Sequence, residues 1–421
     1  MAWIHRLVET NSPPFPEGRR GTLLVLTSSY PKNKEEPSGI FLHHLNRELL
    51  SLGWEVVVLT PNFPGGREEE MLEGVQVLRF NYFAQARQLL CYGSGIIPNL
   101  QQSPLLWLQV PFYLAAMLWR TYRQVRRGHV DVVNAHWILP QGIVAAVSKI
   151  WIKVPLIVTA HGSDMTGFNG VLGRTVKRWV LRRADAVSAN SQFTLGQIQA
   201  LAPASPVELI PMGVDLDQFQ IKGSEEVRQQ LKIEGEFLLY VGRLVEEKGP
   251  QILLQAMPRV LSIFPLATLV MIGGGTERAA LEKRARGLGI AHAVRFLGRI
   301  SHHELGGYYK SADVFVGPSL AEGLGIVFLE AAASGAALVG CRVGGVSDIL
   351  IDEVTGLAVE PGNPDQFAHA VIRVLQDSEL RTRLAANARK HVEENFGWKR
   401  IAALFDSLYQ RVLQTESAPR P

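Results

Sequence analysis

The densest cluster of residues able to do chemistry lies in GPSLAEGLGIVFLEAAASG, residues 317–335. An apolar strand ends at Val316, and a loop carrying Glu322, Gly323 and Gly325 leads into a helix that begins near Gly325. A glycine-punctuated loop feeding a helix start presents free backbone N–H groups and the positive end of the helix dipole. Together these bind an anion such as a diphosphate. Glu322 precedes the helix and is placed to accept hydrogen bonds from sugar hydroxyls. Glu330, one to two turns inside, is placed to bridge the hydroxyls of a ribose. The plainer reading is a capped helix with solvated glutamates, and Glu322 alone does not decide between the two.

A second anion site is written in YVGRLVEEKG, residues 240–249. Gly242 ends a strand, and Arg243 and Lys248 follow in the loop. Arginine offers a fixed fork of donors and lysine a point charge, both suited to a diphosphate. The alternative is a surface loop whose Lys248 pairs with Glu246 or Glu247. An Arg and a Lys at one strand end, with a Gly-loop and an acid pair at another, argue for one shared ligand more strongly than either alone. Two further strand ends carry histidine: His136 in NAHW and His161 in HGSD, the latter with Asp164 close behind.

These loops require strands to hold them. GTLLVLTS (21–28), EVVVLT (55–60), Val75–Phe80, Val130–Ala135, Leu156–Ala160 and Ala186–Ala189 read as buried parallel strands with helices between several of them. One of those helices, Phe41 to Leu52, has Leu42, Leu45, Leu49 and Leu52 on one stripe. The alternation restarts with strands at Phe237–Val241, Ala267–Ile272, Val294–Leu297, Val314–Val316 and Ala337–Val339. The expected fold class is therefore α/β, with two facing doubly wound, Rossmann-like domains and a cleft between their C-terminal strand edges. The expected organisation is a flexible leader over 1–20, a first domain over 21–207, a second over 208–395, and a C-terminal helix over 396–421 returning to the first. The boundary is expected near Pro203 to Pro211, where prolines cluster.

Four stretches, GRLVEEKG at 242–249, EGLGIVFLE at 322–330, TAHGSD at 159–164 and IPMGVD at 210–215, resemble the family 4 retaining glycosyltransferases of GT-B fold, most closely the members of bacterial envelope and exopolysaccharide assembly. The glutamate pair with seven residues between is that family's signature, and the resemblance covers essentially the whole chain after the leader. It implies a hexose-type transfer from a nucleotide diphosphate sugar, a UDP- or GDP-sugar, to a glycan or lipid-linked saccharide. It implies that Arg243 and Lys248 hold the departing diphosphate, Glu322 meets the donor sugar, and Glu330 binds the ribose. Gly325, Ile326 and Val327 would offer backbone groups to phosphate or sugar, Ile300 backbone groups to the base, and Gly39 and Gly242 a close approach to the phosphate. His161 would stand beside the transferred sugar, with Asp164 orienting it or meeting the acceptor, and His136 on the acceptor side. The catalytic set is thus His161, Glu322, Arg243 and Lys248. The family's paired glycines near Gly39 are reduced to one here, and its usual Asn before Gly213 is Met212.

Composition narrows the field further. The 421 residues are 19% charged and 47% hydrophobic, as in a core-forming protein, and 39 Gly and 23 Pro without period exclude collagen-like and low-complexity classes. Cys91 and Cys341 support neither a disulfide framework nor a four-thiolate site and suit a reducing cytosol. No secretory signal is visible. Residues 1–207 hold 20 Lys and Arg against 13 Asp and Glu; the remainder holds 23 against 26. A basic half suits nucleic acid, a membrane surface or a phosphorylated ligand; with the family resemblance, nucleic acid is not an expected partner. Leu105 to Trp119, followed by Arg120, Arg123, Arg126 and Arg127, has the order of an interfacial membrane helix, the alternative being a buried helix with a basic end. The expected location is the cytoplasm, with peripheral contact at an anionic inner membrane face. No metal site and no cofactor are expected: the Asp215-Leu216-Asp217 acids read as a turn and cap, and His43-His44 and His302-His303 are adjacent pairs. Gly273-Gly274-Gly275 suggests a dinucleotide fingerprint, but Arg278 stands where its last Gly belongs. An NAD-dependent dehydrogenase and a nucleotide-sugar epimerase or phosphorylase of the same fold are the competing functions.

Overall fold

The computed structural model describes residues 18–32, 39–93, 95–219 and 225–417. Most of the expected leader, residues 1–17, lies outside them.

Two sheets organise the chain. The first contains β1 (Gly21–Leu26), β2 (Trp54–Pro61), β3 (Glu69–Leu72), β4 (Val75–Phe80), β5 (Val132–His136), β6 (Leu156–Ala160), β7 (Ala186–Ala189) and β8 (Val207–Leu209). Their spatial order is β3-β4-β2-β1-β5-β6-β7-β8, all parallel except β3, which runs antiparallel to β4 at the edge. The second contains β9 (Phe237–Val241), β10 (Thr268–Ile272), β11 (Val294–Gly298), β12 (Val314–Gly317), β13 (Ala337–Cys341) and β14 (Leu357–Val359) in the order β11-β10-β9-β12-β13-β14, all parallel. In such sheets the crevice opens where the strand order reverses. The reversals fall beside β1 and β5 in one sheet and beside β9 and β12 in the other. The loops after β9 and β12 carry Arg243, Lys248 and Glu322, and His161 follows β6, the neighbour of β5.

Alternation along each strand divides the packing. Leu23 and Val25 of β1 face the helix Ile40–Ser51 and the last helix, Trp398–Ser417, through Leu42, Leu45, Ile401, Phe405 and Tyr409. Leu24 and Leu26 face the opposite way, onto Tyr113, Met117 and Val144. The last helix is also pinned by polar contacts: Trp54 Nε1 donates to Asp406 Oδ1 at 2.8 Å, and Asn134 Nδ2 to the Tyr409 hydroxyl at 2.8 Å. The chain leaves the first sheet only after β8, which pairs with β7.

The sequence reading missed β3, β8 and β14. EEML at an edge has exposed and half-exposed side chains and so lacks an apolar run. VEL and LAV are three residues each, too short for any periodicity to register. The triple glycine has a packing role: a Cβ at Gly273 would lie 1.9 Å from the Gly242 carbonyl, and one at Gly275 would lie 2.1 Å from that of Leu244. Asp215 behaves as a cap, its Oδ1 accepting the Gln218 N–H at 3.0 Å. Among the described residues no helix is long and apolar enough to cross a membrane.

Candidate active site

The 322–330 stretch folds as its residue types dictate. Gly325 takes φ 87°, a conformation that side-chain-bearing residues rarely adopt, and no side chain caps the helix Ile326–Ala333 that it starts. The first intrahelical bond is Phe328 N–H to the Gly325 carbonyl at 2.9 Å. The N–H groups ahead of it therefore face the cleft. Glu322 lies in the loop before, and its Oε1 is 2.5 Å from Lys248 Nζ and 3.0 Å from the Ser319 hydroxyl. The alternative partners for Lys248, Glu246 and Glu247, are thus not the ones it takes. Arg243, at the end of β9, lines the same space.

That space is a cavity of ≈ 510 Å³. One wall carries Arg243, Glu247, Lys248 and the loop from Ala321 to Val327; the other carries Phe41, Trp137, His161, Gly162, Ser163, Asn190 and Met212. The two walls meet in backbone contact. A Cβ on Gly162 would come 2.5 Å from Gly323 Cα, and one on Gly323 would come 2.3 Å from the His161 carbonyl oxygen. Only glycine permits that approach. A second bridge, Gln192 N–H to Asp348 Oδ2 at 2.8 Å, joins the sheets nearby.

His161 is buried, and burial pushes its pKa down to about 3. Its Nε2 is 2.9 Å from Nδ1 of His136, whose pKa is also driven well below the ordinary value by burial and by His161. The pair is neutral at pH 7, one ring donating and the other accepting. Phe41 and Trp137 close around His161 with ring centroids at 5.4 and 4.6 Å. Asp164 turns from the cavity: its oxygens accept the N–H groups of Ile138 at 2.9 Å and His161 at 3.2 Å. Burial raises its pKa. Asp164 therefore holds the His161 turn, and His136 supports the His161 ring from behind.

A smaller cavity of ≈ 230 Å³ adjoins the first through Phe41, Ile326 and Val327. It contains Glu330, His302, His44, Asp215 and Trp398. Both oxygens of Glu330 are engaged, Oε1 with His302 Nε2 at 2.8 Å and Oε2 with the Tyr309 hydroxyl at 2.7 Å. Burial lowers the pKa of His302, but the hydrogen bond and charge of Glu330, helped by Asp215, outweigh it and hold it above the ordinary value. His44 is pushed down to about 4, mainly by burial.

Eight of the sequence-predicted residues therefore meet on the two cavities' linings: Arg243, Lys248, Glu322, Gly325, Ile326, Val327 and His161 on the larger, and Glu330 on the smaller. Gly39, Gly242 and Ile300 line neither. Gly39 caps the helix Ile40–Ser51, the Gly242 N–H bonds the Ile272 carbonyl at 2.9 Å, and Ile300 packs half-buried on the core. Phe41, Ser163, Asn190, Glu247 and His302 were missed. Asn190 follows β7 directly, and a polar residue at a strand end is the signal that flagged His161. Among the described residues no group of three or more His, Cys, Asp or Glu is placed to hold a metal.

The family model described as "Glycosyltransferase Family 4" matches residues 38–218, and that described as "Glycosyl transferases group 1" matches residues 223–391. The chain is 29% identical over 416 residues to a glycogen synthase of Mycobacterium tuberculosis, covering 95% of this chain and 97% of that one. It is 30% identical over 391 residues to a D-inositol 3-phosphate glycosyltransferase of Frankia alni, covering 86% and 91%. In fold it is similar to the sucrose-phosphate synthase of Thermosynechococcus elongatus, with a TM-score of 0.78, 24% identity, and coverage of 94% and 100%.

Proposed function

The chain belongs to the family 4 glycosyltransferases, and we propose that it is a retaining enzyme moving a hexose-type sugar from a UDP- or GDP-sugar to a glycan or lipid-linked saccharide. The observation that carries this reading is the Lys248–Glu322 ion pair, held beside Arg243 and the Gly325 helix start in a cavity whose other wall bears His161. These groups match the parts of one ligand. Arg243, Lys248 and the helix N-terminus take the diphosphate. Glu322 and His161 take the sugar hydroxyls, and Glu330 in the adjoining cavity takes the ribose.

In the proposed reaction the bond between the anomeric carbon and the diphosphate oxygen breaks, and its electron pair leaves with the nucleoside diphosphate. Arg243, Lys248 and the helix start stabilise the charge that develops there, at a site already arranged for it. The acceptor hydroxyl attacks the same face of the sugar, and its proton passes to the departing phosphate oxygen. The neutral His136–His161 pair does not compete for that proton and instead fixes the sugar by hydrogen bonding. The free, buried Cys91 and Cys341 support a cytoplasmic site of action.

The test is a screen of UDP- and GDP-hexoses with saccharide acceptors, following nucleoside diphosphate release and the mass of the product, with and without a chelator. Release from one donor, undiminished by the chelator, is the expected result. Tight NADH binding with no response to any nucleotide sugar would overturn the reading.

A further inference from the structure

Two neighbouring segments of the first-sheet unit carry apolar side chains that its fold does not use. The helix Val110–Arg127 buries only Tyr113, Met117 and Thr121. Leu105, Trp107, Leu108, Phe112 and Trp119 stand exposed on it and on the turn before it, Leu105 at 75%. Beside them, Phe168, Val171 and Leu172 are exposed as well, Val171 at 85%. The segments touch: the Trp107 and Phe168 rings meet edge to face at 6.3 Å.

Backbone conformation points the same way. Phe168 has φ 53°, where a bulky residue is an outlier. The turn is held by Gly173, at which a Cβ would lie 1.9 Å from the Phe168 carbonyl oxygen. Strain is thus kept at a ring that stays nearly half exposed.

Charge supplies the complement. No Asp or Glu occurs between Glu73 and Asp131, nor between Asp164 and Asp185. Within those stretches Arg123, Arg126, Arg127, Arg174, Arg182 and Arg183 are exposed. Phe112, Trp119, Arg123 and Arg126 follow helical spacing on one face. Arg120 is different, because its guanidinium is 2.8 Å from Glu68.

We propose that this two-segment face docks on an anionic lipid bilayer, the apolar side chains entering the headgroup boundary and the arginines meeting lipid phosphates. The exposed segment continues from the His161 loop, where Trp137 Nε1 donates to Ser163 Oγ at 3.2 Å. Docking therefore brings the His161 wall of the cleft to the lipid surface. That orientation rests on the proposed lipid-linked acceptor; the adsorption itself does not.

The test is co-sedimentation of the full chain with phosphatidylcholine vesicles, with and without phosphatidylglycerol, at low and high salt, beside sedimentation velocity without lipid. The expected result is binding to the anionic vesicles that weakens with salt. Arg123→Gln/Arg126→Gln/Arg127→Gln should weaken it about 100-fold, and Leu105→Ser/Leu108→Ser/Leu172→Ser should abolish it. Nucleoside diphosphate release with an acceptor in solution should be unchanged in both variants. Absence of vesicle binding, equal binding by wild type and both variants, or a lipid-free dimer dissolved by the serine variant would each overturn the proposal. Vesicle binding by a chain that turns over no nucleotide sugar would leave docking in place and remove the acceptor reading instead.

Discussion

The second-sheet wall of the cleft presents Arg243, Glu247, Lys248 and Glu322, whereas the first-sheet wall presents aromatic rings, a neutral histidine and Asn190. Among the described residues, the unit whose sequence is richer in basic residues thus puts no charged side chain on the larger cavity, while Arg123 and Arg126 stand exposed on the helix face that carries Phe112 and Trp119. The excess of basic residues in one half thus goes with the proposed docking face, while the proposed anion site sits in the acidic half, on loops that feed helix starts. The difference also separates two kinds of work. In the proposed reaction the charged wall meets a leaving group whose charge grows as the bond breaks, and the aromatic wall shapes and dries the space around the transferred sugar.

The strongest way to break this contrast is to remove charge from one wall and shape from the other. Lys248→Ala should lower kcat by about 10²–10³, with less change in donor binding, because the bound diphosphate gains further negative charge as the bond breaks. Equal losses in kcat and donor affinity would place Lys248 in ground-state binding. Gly323→Ala, which pushes a methyl onto the His161 carbonyl, should cost about 100-fold in kcat while leaving thermal unfolding nearly unchanged. Wild-type turnover would mean that the two walls need not meet.

The next effect is on the nucleoside side. Glu330→Ala should weaken donor binding about ten- to a hundredfold in a calorimetric titration, and should leave kcat at saturating donor much less affected. It also strips His302 and Tyr309 of their shared acceptor, so a fall in melting temperature should accompany it.

The smallest effect is in pH dependence, and its sign differs between the regions. His161 and His136 have depressed folded pKa values, so the unfolded chain binds protons that the folded one does not. Stability should fall as pH drops below about 6.5. His302 has a raised folded pKa, so its contribution is full below about 6.5 and is lost as pH rises through the folded value. Denaturant unfolding across pH, with His161→Asn and His302→Asn for comparison, separates the two; a slope unchanged in His161→Asn would count against the neutral pair.

The same contrast explains what was legible before the fold was known. The donor wall is written in two contiguous stretches in which Gly, Arg, Lys and Glu stand at fixed spacing, so local sequence sufficed to propose it. The other wall is assembled from five separate segments. Phe41 reads as one more apolar helix residue, Met212 as a replacement for the family's usual Asn, and Asn190 as the residue after a strand. Only their convergence gives them a role, and convergence is a property of the sheet order. His302 was passed over for a related reason: its partner Glu330 lies on a different element, and adjacency with His303 argued only against a metal. The membrane-order segment was legible as a pattern of apolar then basic residues, but exposure of the apolar side chains, and the second segment at Phe168, required the packing to be seen.

The most direct test of the account is proton NMR of the product formed from an α-linked nucleotide hexose of gluco or galacto configuration with its acceptor. The account predicts that the new glycosidic bond carries the small anomeric coupling of an α-linkage, with one nucleoside diphosphate released per bond formed. A large, β-type coupling in that first product would contradict it.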